Sequence, residues 1–113
     1  MKRPAILLLT GALLSTGAAA DCRKDSEGHV RCGKGQCARD RYGKIYCANA
    51  GGGAVKDRTG NVVCGVGYCA EDYLGKIWCS QKPEGGAEAD RQGEVKCLGD
   101  CAPGSARLCS EAR

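Results

Sequence analysis

The chain has 113 residues, ten of them cysteine and 18 glycine, with no Phe and one Trp. Its net charge is +4, from 17 Lys plus Arg against 13 acids. So few large apolar residues exclude a large enzyme fold, a coiled coil and a membrane-spanning protein; they point to a small exported domain held by disulfides.

Met1-Lys2-Arg3 carries two positive charges, Ile6 to Leu14 forms an apolar stretch, and Ala18-Ala19-Ala20 offers a small-residue cleavage site. This is the layout of a secretory signal peptide, so residues 1–20 are expected to be removed. The apolar run is too short to span a bilayer. Asp21 stands where lipid attachment at Cys22 would need a small residue, which argues against a lipid anchor. The remaining 93 of the 113 residues keep all ten cysteines, with 15 basic and 13 acidic side chains and a net charge of +2. The short, Ala-rich leader looks bacterial, and the expected location is periplasmic or secreted, where disulfides persist.

From Asp25 onward the pattern Asp-x-x-Gly-x-Val/Ile-x-Cys occurs five times, ending at Cys32, Cys47, Cys64, Cys79 and Cys97. The starts at Asp25, Asp40, Asp57, Asp72 and Asp90 are alternately short and long steps apart, so the units come in pairs. Residues 32–47 and 64–79 are identical at ten of sixteen positions, which gives a larger period of about 32 residues. Repeats of this length are stacked supersecondary units. Each reads as a β-hairpin: Asp caps a type I turn, Gly supplies the positive φ of a bulge, and Val or Ile begins the return strand. The predicted fold is therefore small, all-β and disulfide-rich. It has tandem hairpin repeats at about 22–47, 54–79 and 87–109, about five and a half hairpins, and a frayed tail at 110–113. Residues 48–53 and 80–86 are short linkers within one domain.

The turn fixes the strand register. With Asp25 facing His29, Cys22 faces Cys32; by the same arithmetic Cys37 faces Cys47 and Cys69 faces Cys79. These are non-hydrogen-bonded pairs with Cα atoms ~4.5 Å apart, at the short end of the disulfide range. In the other two hairpins Ala54 faces Cys64 and Ala87 faces Cys97. The expected bridges are then Cys22–Cys32, Cys37–Cys47 and Cys69–Cys79, with Cys64–Cys97 tying the repeats together and Cys101–Cys109 closing a last, degenerate hairpin. A rival scheme joins Cys32 to Cys37, Cys64 to Cys69 and Cys97 to Cys101 across the Gly-rich connectors, and sequence alone leaves both open.

No constellation carries chemistry. The five aspartates lack the carboxylate density of a calcium loop, and turn capping explains Asp and Gly together. The cysteine spacings do not suit zinc, and there is no Cys-x-x-Cys redox pair. His29 occupies a position that takes Lys, Asn or Glu in the other hairpins, with nothing beside it to make a general base. No catalytic residue, metal or cofactor is expected, and the chain reads as non-enzymatic.

Tyr46 and Trp78 occupy equivalent sites on the face opposite the disulfides. They form either the small core between hairpins or a possible binding surface for a glycan or protein partner. Core is the preferred reading. Tyr42, Tyr68, Tyr73 and Leu74 lie on turns or connectors, and Tyr73-Leu74 is the best candidate for an exposed apolar tip. Basic residues are scattered among acids, with Arg23, Lys24 and Arg31 near one end and Glu84, Glu88 and Asp90 near another; they read as a solvated surface, and the small net charge implies neither nucleic acid nor membrane insertion.

The functional expectation is an exported, non-catalytic binding or structural protein of the bacterial envelope or extracellular space. The alternative is a secreted effector, such as a protease inhibitor or small toxin. An inhibitor usually presents one distinctive loop, whereas here the turns repeat with differing tips.

Overall fold

The computed structural model describes residues 21–113; the leader expected over 1–20 lies outside the described residues. The described chain is all-β apart from one short 3-10 turn at Ala106–Leu108. Its first ten strands form five consecutive antiparallel hairpins. The first hairpin joins β1 (Asp21–Lys24) to β2 (Val30–Gly33), and the second joins β3 (Cys37–Arg39) to β4 (Ile45–Cys47). The third pairs β5 (Ala54–Lys56) with β6 (Val62–Cys64), and the fourth β7 (Cys69–Glu71) with β8 (Ile77–Ser80). The fifth consists of β9 (Ala87–Ala89) and β10 (Val95–Cys97).

All five close on one turn. In the first, Asp25 N–H donates to the His29 carbonyl at 2.8 Å and Gly28 N–H to the Asp25 carbonyl at 3.1 Å. The Asp25 carboxylate accepts from the Glu27 and His29 backbone N–H groups, both at 2.9 Å. The same four bonds recur at Asp40, Asp57, Asp72 and Asp90. The turn glycines have φ between 85° and 93°, a region that L side chains avoid. The turns impose the expected register: Cys22 opposes Cys32, Cys37 opposes Cys47 and Cys69 opposes Cys79. Each of these pairs is a disulfide, with Cα atoms 3.9–4.0 Å apart.

The C-terminal segment departs from expectation. No sixth hairpin forms, and the bridges are Cys97–Cys101 and Cys64–Cys109 rather than Cys64–Cys97 and Cys101–Cys109. From the rival scheme, only Cys97–Cys101 occurs. The connector after Cys97 is one residue shorter than the one after Cys64, and it brings Cys101 within 5.2 Å of Cys97, Cα to Cα. The chain then runs back along the stack. Strand β11 (Cys101–Pro103) adds to β8, Ser105 bridges Cys64, and β12 (Ser110–Glu111) adds to β4. Residues 110–111 are therefore paired rather than frayed, and Ala112 N–H also reaches the Ile45 carbonyl at 2.9 Å.

This return strap crosses the second strands of hairpins four, three and two, and it makes the core. Ile45, Val62 and Ile77, equivalent in the repeat, are 2%, 5% and 4% exposed. Val30, at the same position in the first hairpin, has no strap beside it and is 62% exposed. Leu108 and Cys109 pack on the cluster of Ala48, Ala54, Val62 and Cys64, and Ala112 on that of Cys37, Ile45 and Cys47.

Candidate functional site

The turns form a continuous row. Ser26 N–H donates to the Gly43 carbonyl at 3.1 Å, Arg41 N–H to Gly60 at 2.8 Å and Tyr73 N–H to Gly93 at 3.0 Å. At the remaining step the Arg58 side chain lies over Gly75 and donates from Nε to the Glu71 carboxylate at 2.6 Å. Each hairpin thus hooks its residue after Asp onto the glycine of the next turn. The tips line up as a result, with one backbone and different side chains.

Those side chains are the most exposed apolar groups of the row. Tyr42, Tyr73 and Leu74 are 69%, 65% and 71% exposed. The Arg41 guanidinium lies 5.0 Å from the centroid of the Tyr42 ring. Arg58 and Arg91 stand exposed on the third and fifth tips. Tyr and Arg are the residue types enriched where binding energy concentrates, because they combine large contact area with polar reach. The Tyr73-Leu74 tip was legible as an exposed spot; the arginines accompanying it were not singled out, because only stacking of the turns brings them into line.

Tyr46 faces the next hairpin instead, and Trp78 is held by its own hairpin. Tyr46 is half-buried against the Ala54, Val62 and Cys64 cluster of the third hairpin. Trp78 is half-buried as well; its indole N–H donates to Asp72 Oδ2 at 2.9 Å and the Lys76 ammonium lies 4.5 Å from its ring. That indole hydrogen bond is the chief reason the Asp72 carboxyl is held below its ordinary range, with backbone bonds from Lys76 and Leu74 adding to it. At Asp57 the Thr59 hydroxyl plays the same part. At Asp25 partial burial opposes the charged form, but hydrogen bonds from His29 N–H and Arg31 outweigh it and lower the pKa. Asp25, Asp57 and Asp72 are thus anionic caps, and all five turn aspartates are committed to their own backbone.

Among the described residues, Asp25, Glu27 and His29 bring ligand atoms within 4.8 Å of one another. The arrangement suits a cation poorly. Asp25 Oδ1 already accepts two backbone N–H groups, and Oδ2 accepts from Arg31 Nε at 3.1 Å, which puts a positive charge where the metal would bind. The surface hollows are shallow; one of about 500 Å³ lies between the first two turns and the chain's end, lined by residues including Arg31, Tyr42, Lys44 and Ala112. No described helix is long and apolar enough to cross a membrane. The five disulfides fit an oxidising compartment. No family model, curated protein or solved structure matches the chain.

Proposed function

We propose that the chain is an exported, non-catalytic protein of the bacterial envelope or extracellular space that presents its row of turn tips to a protein or glycan partner. The observation that carries this reading is the alignment of five identical turns bearing different tips, with exposed Tyr42, Tyr73 and Leu74 among arginines. A rigid frame lowers the entropy cost of binding because the contact groups are already placed. Aromatic tips suit sugar faces and protein pockets alike, and the exposed Arg91 tip favours a partner with carboxylates.

The test is a triple variant, Tyr42→Ala, Tyr73→Ala and Leu74→Ala, compared with Tyr46→Ala plus Trp78→Ala. Binding is assayed against a glycan array and against envelope proteins retained by the oxidised wild type. The tip variant is expected to lose binding at unchanged Tm, since exposed substitutions usually move stability by less than about 0.5 kcal/mol. The inter-hairpin variant is expected to melt lower. Binding that survives the tip variant but disappears with Tyr46 and Trp78 at unchanged Tm would overturn the proposal.

A further inference from the structure

The hairpins meet through two alternating kinds of interface. From the second hairpin to the third, Tyr46 packs on an alanine and cysteine face. Going from an odd to an even hairpin, a glycine lies flat on the next disulfide. A Cβ on Gly33 would stand 2.4 Å from Cys47 Cβ and 2.5 Å from its Sγ. One on Gly65 would stand 2.2 Å from Cys79 Cβ and 2.5 Å from its Sγ. Both distances are far inside van der Waals contact, so only glycine permits this approach.

Among the described residues, the two ends of the stack are the unfilled halves of this second interface. On the first hairpin, Cys22 and Cys32 are both exposed, with Lys24 and Val30 on the same face, and among the described residues nothing lies within 4 Å of a Cβ placed on Gly28. The other turn glycines are each covered by the preceding hairpin. On the fifth hairpin, the outward face carries Glu88, Lys96 and the residue after Cys97. That residue corresponds to Gly33 and Gly65, but it is Leu98, 61% exposed. Its backbone is pinned: Leu98 N–H donates to Gly86 at 3.0 Å, as Gly65 does to Gly53, and its carbonyl accepts from the buried Ser80 hydroxyl at 2.5 Å. The side chain therefore projects where another hairpin's disulfide would have to lie.

A second mismatch accompanies the first. Between hairpins three and four, Arg58 pairs with Glu71. The equivalent residues at the two ends are Arg91, which follows Asp90 as Arg58 follows Asp57, and Lys24, which precedes its turn Asp as Glu71 does. Two cations would meet there.

We propose that the disulfide face of the first hairpin is a docking surface shaped for the last hairpin of a second copy of this chain, and that Leu98 and Lys24 keep it shut. Repeat ends that match head to tail generate open filaments unless something blocks them. A single side chain placed at a glycine-only contact is an effective block. The pairing at the opened interface would follow that between hairpins three and four, with the Arg91 side chain over Gly28 of the neighbouring copy as Arg58 lies over Gly75.

The experiment is light scattering with size-exclusion chromatography at rising concentration, on oxidised wild type, Lys24→Glu and the double variant Leu98→Gly plus Lys24→Glu. The wild type and the single variant are expected to remain monomers. The double variant, which restores both the glycine and the Arg–Glu pair, is expected to form concentration-dependent chains. A folded double variant that stays monomeric, or a wild type that already associates end to end, overturns the proposal. A second measurement needs no variant: under limiting reductant, Cys22–Cys32 of the wild type should open before Cys37–Cys47 and Cys69–Cys79. Equal protection of the three would mean that the face is already covered and would equally overturn it.

Discussion

Full reduction is expected to abolish the fold. Among the described residues nine hydrophobic ones are buried, of which four are half-cystines and two are alanines, leaving Ile45, Val62 and Ile77 as the large aliphatic core. Ordering each residue costs ~1–2 kcal/mol of backbone entropy, which three aliphatic side chains cannot offset at ~1.5–3 kcal/mol each. The three hairpin bridges, each at a sequence separation of 10, contribute about 2.5–3 kcal/mol apiece on the chain-entropy account. The Cys64–Cys109 bridge spans 45 positions and contributes about 4 kcal/mol. Together they amount to on the order of 12 kcal/mol, comparable to the whole stability of an ordinary domain. Reduced and alkylated protein should lose its β circular dichroism and its NMR dispersion. Native dispersion after alkylation would mean that a hydrophobic core holds the fold without its bridges.

The second large effect is expected at one bridge. Replacing Cys64 and Cys109 together by alanine removes the longest loop closure, and it frees the strap from β6. Ser105, Leu108 and Ala112 then lose the anchor that holds them over Val62 and Ile45. The loss should be about 4 kcal/mol or more, a fall of roughly 15–30 °C in Tm for a domain of this size. Replacing Cys22 and Cys32 instead should cost about 2.5–3 kcal/mol and uncover nothing, because that bridge is already exposed. Denaturant unfolding of the two variants decides the order. If the Cys22 and Cys32 variant were the less stable, the strap would not be what closes the stack.

The division between what the sequence shows and what it hides follows the range of the interactions. The hairpins are legible because Asp and Gly fix each turn through bonds spanning four residues, and each turn sets the register of its own strands. That register sets three cysteine pairs face to face, and the structure bonds those pairs rather than the rival ones across the connectors. Cys64 and Cys97 look equivalent in the repeat, each opposite an alanine, and that equivalence points to a bond between them. It fails because the shortened connector lets Cys97 reach Cys101 locally, so Cys64 is left for a residue 45 positions away. No periodicity announces the strap, which lies outside the repeat. Pro103-Gly104 is its one sequence trace: a Cβ on Gly104 would stand 2.9 Å from Val63 Cγ2 and 3.3 Å from Ile77 Cγ2, where the strap crosses the stack.

The candidate site divides the same way. Tyr73 and Leu74 at a hairpin tip need only the turn to be recognised as exposed. The row joining them to Arg41, Tyr42 and Arg58 requires the bonds and contacts between successive turns, which bring together residues 17 to 20 apart. Tyr46 and Trp78 lie at equivalent positions and read equally well as core or surface, since alternation gives the face but not what covers it. The neighbouring hairpin covers Tyr46, and the Asp72 carboxylate takes the indole N–H of Trp78.

The return strap is most directly tested by mapping the disulfides of the oxidised protein, by proteolysis without reduction followed by mass spectrometry. The structure requires the peptide containing Cys64 to be joined to the one containing Cys109, with Cys97 joined to Cys101 and three bridges inside hairpins. A map with Cys64 joined to Cys97 and Cys101 to Cys109 would contradict the strap, and with it the burial of Ile45, Val62 and Ile77 beneath it.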